Sequence, residues 1–257
     1  MSRRWRERRW DEPPPKVPRP ASAAAAHDIL CNGRVLSYEL IPWGSNYTFL
    51  AALSRGAEPE ALAVYKPRRG EAPLWDFPDG TLYRRERAAY VASQALGWDF
   101  VPLTVIRDGP EGIGSMQLFV ETEGSPHRPQ FTDAHRDQLA CIALYDLITN
   151  NADRKVGHCL VGTEGKVWGI DHGLTFHTDP KLRSALWEFY QEPIPPALLA
   201  AVRELLESAP RRAALQAELE ELLSRAEVQS FFARAERVVE AGAYGSVQAY
   251  RRRSWPF

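Results

Sequence analysis

The order of its secondary-structure signals is the feature that most limits how this chain can fold. From about residue 27 to residue 120, short apolar runs are separated by Gly- and Pro-containing turns, a pattern typical of β-strands. A single helical pattern over 82–96 interrupts them, and after residue 121 the apolar spacing becomes helical. A strand-rich part followed by a helix-rich part predicts an α+β fold with two lobes. We expect a strand-rich N-lobe over about 27–120 and a helical C-lobe over about 121–257.

The predicted elements follow the same order. The strands are expected over 34–40, 47–53, 61–66, 101–106 and 114–120, and the later helices over 132–149, 196–207, 211–225 and 227–241, with a short hairpin at 159–170.

Residues 1–26 are predicted to form a basic, Pro-rich disordered tail. The first twenty residues have a formal charge of +4 and are dense in proline, which a helix or central strand cannot accommodate, and an alanine run over 23–26 follows. The tail can be a solvated segment, the product of an early start codon, or an arm that touches acidic lipid or a partner.

Composition excludes several classes of protein. With 32 Lys+Arg and 33 Asp+Glu the net charge is −1, so bulk positive charge does not make this a nucleic-acid binder. There is no run of eighteen apolar residues and no secretory signal, and the three cysteines lack metal-site spacing. We therefore expect a cytoplasmic protein without a transmembrane segment. Its richness in Ala, Arg and Pro favours a GC-rich bacterial genome.

The segment from 150 to 173 carries the most chemistry. A three-residue turn at 163–165 ends in glycine and predicts a hairpin with position 158 opposite position 170. This pairing brings His158 beside Asp171, and Asp153 approaches the same end from the preceding loop. Two carboxylates and an imidazole at one place suit metal-assisted phosphoryl transfer. Each piece alone is also typical of an ordinary turn, a surface ion pair or a core histidine.

Lys66 and Glu86 form a second candidate pair. Lys66 ends an apolar strand directly before Pro67, and Glu86 lies on the predicted helix twenty residues later. A strand lysine paired with a helix glutamate is the arrangement that places a cation on nucleotide phosphates. The alternatives are a solvated lysine at a strand end and an exposed glutamate among arginines.

Five motifs in one order resemble a known superfamily. They are Val64-Tyr65-Lys66-Pro67, Arg85-Glu86-Arg87-Ala88-Ala89-Tyr90, Gly114-Ser115-Met116-Gln117-Leu118-Phe119-Val120-Glu121, Asn151-Ala152-Asp153-Arg154 and Ile170-Asp171-His172-Gly173. Together they are similar to the phosphatidylinositol 3- and 4-kinase-like superfamily, closest to the type II phosphatidylinositol 4-kinases and their small bacterial relatives, including an actinobacterial family. The resemblance covers roughly residues 35–195.

The resemblance implies a two-lobed protein-kinase-like fold over 27–257 with ATP in the cleft. It implies that Lys66 binds the α- and β-phosphates and is held by Glu86, that Asp153 is the catalytic aspartate, and that Asp171 binds the metal. The remaining nucleotide contacts implied are a phosphate-covering turn of Gly44, Ser45 and Asn46, and a hinge that meets adenine through the backbone of Gln117, Leu118, Phe119, Val120 and Glu121.

This chain departs from the family pattern at three places. His158 stands where the family usually has an asparagine that binds a second metal ion. An imidazole there favours Mn²⁺ over Mg²⁺, a single ion, or a histidine that only positions phosphate. The phosphate-covering turn has only one glycine, Gly44, and the segment after Asp171 is short, which argues against a lipid acceptor.

Three functional hypotheses follow. The first is an enzyme, an ATP-dependent kinase that transfers the γ-phosphoryl group to a hydroxyl of an unidentified protein, metabolite or lipid. The second is a pseudokinase that binds nucleotide without turnover. The third is an interaction protein that uses the Arg- and Trp-bearing ends, 3–10 and 251–255.

Overall fold

The computed structural model describes residues 16–122 and 129–244. The strands within these ranges are β1 Arg34–Leu40, β2 Phe49–Ser54, β3 Ala61–Pro67, β4 Thr104–Gly109, β5 Gly112–Leu118, β6 Cys159–Val161 and β7 Val167–Gly169. The helices are α1 Ala23–Asn32, α2 Leu82–Ala95, α3 Arg136–Thr149, α4 Pro196–Glu207, α5 Ala209–Glu220 and α6 Arg225–Ala241. The chain forms two compact units. The first contains the described residues up to Arg87 together with Pro102–Phe119, and the second contains Ala88–Val101 and the chain from Val120 onward.

The first unit is built on a five-stranded antiparallel sheet in the order β1-β2-β3-β5-β4. Its central strands read as nearly continuous apolar runs because both faces of the sheet are covered. On one face, Ala51 and Ala63 pack with Leu30 of α1. On the other, Leu50 and Leu62 form a separate cluster.

Helix α1 corrects the predicted tail. The alanine run Ala23–Ala26, expected to belong to an extended arm, forms the first turn of this helix. The Ser22 hydroxyl caps the helix by accepting a hydrogen bond from the N–H of Ala25 at 3.1 Å. Alanine has the highest helix propensity, so a serine cap before four alanines is a helix start despite the prolines upstream. The more N-terminal part of the tail, and the 3–10 and 251–255 ends, lie outside the described residues.

The second unit is organised around α3. From Ile142 to Tyr145 this helix is fully buried, so it is apolar on all sides instead of on one stripe. Helix α6 packs against it through Val228, Phe231 and Ala235, whose spacing keeps them on one helix face. The two-stranded hairpin β6–β7 belongs to the same unit.

The observed elements confirm the predicted α+β class, with the five-stranded sheet in the first unit and most of the helix in the second. Among the described residues, no helix combines the length and the apolar character needed to cross a bilayer.

Candidate functional site

Lys66 lies near the end of β3, where its backbone is paired with Ser115 of β5. Its ammonium group forms an ion pair with a carboxylate oxygen of Glu86, on the second turn of α2. The glutamate side chain is 3% exposed and the lysine side chain 22% exposed. A buried carboxylate is costly unless a cation accompanies it, so each member of the pair fixes the other. The structure therefore joins the two residues that the sequence pairs.

Gly114 allows β3 and β5 to approach closely beside Lys66. A Cβ atom at this position would lie 2.4 Å from the Lys66 carbonyl oxygen and 2.6 Å from Pro67 Cα. We expect Gly114→Ala to lower the free energy of unfolding by about 1–3 kcal/mol, because the backbone must move to relieve the overlap. Urea unfolding measures this loss. The control is Gly56→Ala, whose Cβ would come no closer than 3.7 Å to Ser54 Oγ, and equal losses in the two variants would contradict the steric explanation.

The expected phosphate-covering turn is the loop between β1 and β2. Gly44 has φ +111°, which L side chains rarely adopt, and both Gly44 and Ser45 are exposed. Asn46 is half-buried, and its side-chain oxygen accepts a hydrogen bond from the N–H of Ala72 at 2.7 Å. This bond ties the loop to the segment between β3 and α2.

The expected hinge runs out of β5. The Gln117 side chain donates a buried hydrogen bond at 2.8 Å, and the N–H groups of Leu118 and Phe119 donate to carbonyl groups of the same unit at 2.8 and 2.9 Å. These donors are already used within the first unit. Val120 and Glu121, both half-buried, belong to the second unit.

The β6–β7 hairpin confirms the predicted register. Cys159 pairs with Gly169, and the N–H of Ile170 donates to the His158 carbonyl at 2.9 Å. As a result His158 Nε2 lies 3.2 Å from Asp171 Oδ2. His158 Nδ1 accepts from the N–H of Lys155 at 3.5 Å, so the ring proton is on Nε2 and points at Asp171.

Asp171 sits in a strained backbone conformation. Its φ is +61°, and Asn150 and Phe176 are the other non-glycine residues of the described chain with positive φ. Such conformations cost about 1–3 kcal/mol and persist only where the surroundings enforce them. Asn150 and Phe176 lie on either side of the segment that contains Asp153, His158 and Asp171. The Asp171 side chain is 47% exposed, which leaves its carboxylate accessible to a ligand.

Asp153 is held by two cations. Arg183 Nη2 lies 2.5 Å from Oδ1, and Lys155 Nζ lies 2.8 Å from Oδ2. Arg183 is positioned by the backbone, because its N–H donates to the Asn151 carbonyl and its carbonyl accepts from the N–H of Arg154, at 2.9 and 3.0 Å. The two carboxylates and the imidazole were expected to converge. The structure joins His158 to Asp171 and places Asp153 with these cations.

Arg154 forms the buried centre of this region. Its guanidinium binds both carboxylate oxygens of Asp146 on α3, and neither side chain is exposed. It also donates to the Ile170 carbonyl at 2.7 Å, directly before Asp171. Burial disfavours the charged guanidinium, but the Asp146 carboxylate outweighs this effect, so the pKa of Arg154 is raised. Arg154 thereby couples α3, the loop of Asp153 and the position of Asp171.

His172 completes the network as a neutral ring. Its Nε2 atom lies 2.8 Å from Arg154 Nη2. Because arginine has only donors, Nε2 accepts the bond and the ring proton lies on Nδ1. The ring packs edge-on against Tyr145, with centroids 5.8 Å apart. Both residues are fully buried, so this contact fixes the backbone that follows Asp171.

Comparison with known proteins identifies the family of this chain. Residues 105–230 match the family described as phosphatidylinositol 3- and 4-kinase. Protein Rv2133c of Mycobacterium tuberculosis is 36% identical over 267 residues, which cover 90% of this chain and 94% of that protein. The chain belongs to the phosphatidylinositol 3- and 4-kinase-like superfamily.

Three solved structures of other kinases and kinase-like proteins have folds similar to that of this chain. The Golgi casein kinase with Mn/ADP bound matches with a TM-score of 0.56 at 14% identity, over 88% of this chain and 75% of that one. The hydra Fam20 structure with sugar matches with a TM-score of 0.59 at 14% identity, over 86% and 90% of the two chains. The Helicobacter pylori proinflammatory kinase CtkA matches with a TM-score of 0.52 at 10% identity, over 94% and 100%. The predicted two-lobed kinase-like fold is therefore confirmed.

The sequence did not predict the roles of three residues near the candidate site, namely Asp146, Arg154 and Arg183. The Asn-Ala-Asp-Arg segment taken alone is typical of a surface turn, but Arg154 is buried against Asp146. An acid inside the apolar run of α3 was the signal that could have revealed that pair, because an unpaired buried carboxylate is rare. No local pattern marks Arg183 as a partner of Asp153, since thirty positions separate them.

The donors near Asp171 are compatible with a divalent metal that substrate phosphates help to bind. Within 16–122 and 129–244, no group of three His, Cys, Asp or Glu side chains could hold an ion by itself. Mg²⁺ usually uses only one or two protein carboxylates together with phosphates and water. An exposed carboxylate steadied by an imidazole N–H meets that requirement.

Proposed function

We propose that the chain is an ATP-dependent phosphotransferase that transfers the γ-phosphoryl group to a hydroxyl acceptor. The observation that carries this proposal is the ion pair between Lys66 and the buried Glu86 carboxylate. A lysine held in this way presents a fixed positive charge toward nucleotide phosphates. Family membership and the kinase-like fold support the same reaction class.

The proposed roles follow the geometry of each unit. Lys66 binds the α- and β-phosphates, with Glu86 as its positioning residue. The Gly44–Asn46 loop covers the phosphates. The backbone after Gln117 contacts adenine. Val120 and Glu121 supply the N–H donors of this contact, because those of Leu118 and Phe119 are already hydrogen-bonded. Asp153 orients the acceptor hydroxyl and receives its proton.

Asp171 would hold the divalent ion, Mg²⁺ or Mn²⁺, which neutralises charge on the transferred phosphoryl group. His158 donates its Nε2 proton toward Asp171, so we assign it the orientation of that carboxylate. The acceptor is a protein, a metabolite or a lipid. All three cysteines are free thiols, which suits a reducing compartment such as the cytoplasm.

Thermal unfolding in the presence of ATP and either Mg²⁺ or Mn²⁺ tests nucleotide binding. At a hundredfold excess over Kd, a ligand of the native state stabilises it by about 2.7 kcal/mol, which raises the midpoint by about 5–10 °C. We expect Asp171→Ala to remove the metal-dependent part of this shift. Asp179→Ala, an exposed acid in the same segment, is the matched control. Absence of a shift in the unchanged chain with both metals would refute the proposal.

A pseudokinase is the second candidate function, and a specific contact favours it. Both carboxylate oxygens of Asp153 are bound by cations, so an acceptor hydroxyl competes with Lys155 and Arg183 for the lone pairs of this carboxylate. A metal-dependent shift without phosphate release from ATP would favour this alternative.

A further inference from the structure

A cavity of about 510 Å³ opens in the first unit, between the segment that joins β3 to α2 and the turn that joins β4 to β5. Its volume lies within the range of small-molecule sites. Leu74, Phe77, Leu82 and Ile113 form its apolar wall. Neither Lys66 nor Glu86 lines it, so it is separate from the residues assigned to the nucleotide.

Most of the charge around this cavity is already neutralised. Arg69 forms an ion pair with Glu111, whose other oxygen accepts a hydrogen bond from the Tyr38 hydroxyl at 2.8 Å. The two oxygens of Glu71 accept hydrogen bonds at 3.0 and 2.8 Å from N–H groups in the first turn of α2. Glu71 thereby caps the helix, and its charge is balanced by the helix N-terminus.

Of the two arginines that line the cavity, Arg69 is the one paired with Glu111, and Arg68 is the other. Arg68 makes no ion pair with any described residue, and its side chain lies against Gly80, where a Cβ would be 2.5 Å from Nε. Arg85 does not line the cavity; it is 1% exposed and lies over the ring of the lining residue Phe77 at 5.0 Å. Burial raises the pKa of Glu71, while the hydrogen bonds from the N–H groups of Tyr83 and Leu82 and the charges of Arg68 and Arg85 lower it. Asp79 is the opposing acid of the lining, and its side chain, like that of Arg68, is exposed.

We propose that this cavity binds a small molecule in which an apolar or aromatic group carries one anionic group. The apolar part packs on Phe77 and Ile113, and the anion pairs with the Arg68 guanidinium, which matches carboxylate, sulfonate or phosphate geometry. The ligand would contact the segment that caps α2, the helix that carries Glu86. The proposal goes beyond the phosphotransferase function and does not depend on it.

Fluorescence titration with two probes tests this site. The probe 1-anilinonaphthalene-8-sulfonate combines an aromatic group with one anion, and N-phenyl-1-naphthylamine is its uncharged analogue. We expect Arg68→Gln to weaken sulfonate binding about tenfold, as the loss of one charge-assisted hydrogen bond predicts, and to change binding of the neutral probe less than about twofold. The matched control is Arg55→Gln, an exposed arginine of the same unit that does not line the cavity.

A second variant and a competitor make the test independent of one substitution. Ile113 is 39% exposed, so Ile113→Glu should fold, and we expect it to weaken both probes at least about tenfold. ADP should not displace the sulfonate probe. Displacement by ADP, or equal affinities in Arg68→Gln and Arg55→Gln, would overturn the proposal, as would unchanged binding in Ile113→Glu.

Discussion

Replacing Arg154 with methionine is expected to lower the free energy of unfolding by about 3–5 kcal/mol. The Arg154 and Asp146 side chains are both 0% exposed, and Nε lies 2.9 Å from Oδ2. Removing the guanidinium leaves a carboxylate in the core without a cation, and it leaves the Ile170 carbonyl without the donor at 2.7 Å. Denaturant unfolding followed by circular dichroism measures the loss.

A double substitution distinguishes a buried charge from simple loss of packing. We expect the double variant Asp146→Leu/Arg154→Met to lose less free energy of unfolding than Arg154→Met alone, because no uncompensated charge then remains in the core. The matched control is Arg183→Met, whose ion pair with Asp153 is 49% exposed on the arginine side and should be worth at most about 1 kcal/mol. If the double variant loses as much free energy of unfolding as the two single variants combined, the two side chains act independently, and an unpaired buried charge does not explain the loss in Arg154→Met.

Local rules explain which parts of the fold could be predicted from the sequence. Helix α4, Pro196–Glu207, and strand β1, Arg34–Leu40, have the predicted bounds because their apolar periodicity and flanking turn residues are unambiguous. The hairpin register followed from the turn at 163–165, since a short turn determines which residues face each other. The closeness of His158 and Asp171 is a direct consequence of that register.

The remaining features depend on tertiary contacts that a local pattern does not contain. The Asp-Arg pair at 153–154 has the composition of a surface turn, and only the packing around α3 makes Arg154 a core residue. The contact of Arg183 with Asp153 requires the chain to return beside the Asn151 carbonyl. Helix α1 differs from the prediction for another reason: the proline density upstream argues against a helix, but the Ser22 cap and the alanine run begin one at residue 23.

Asp153→Asn is expected to lower phosphate release from ATP by about 10²–10⁴-fold, the usual contribution of a general base. Asparagine keeps the size of the side chain but cannot take the proton of the attacking hydroxyl or water. Both partners of Asp153, Arg183 and Lys155, are substantially exposed, so they can be hydrated after the substitution and stability should change by less than about 1 kcal/mol. Release of inorganic phosphate, with water as the acceptor, measures the rate.

Nucleotide binding by the same variant separates catalysis from folding. The ATP- and metal-dependent shift in the unfolding midpoint should persist in Asp153→Asn, because Lys66 and Asp171, and not Asp153, are assigned to the phosphates and the ion. The matched control is Asp137→Asn, which removes an exposed carboxylate in the first turn of α3 and should keep the full rate. If Asp153→Asn retains that rate, another residue takes the proton. If it loses both the rate and the thermal shift, Asp153 contributes to nucleotide binding and its assignment as the base alone is wrong.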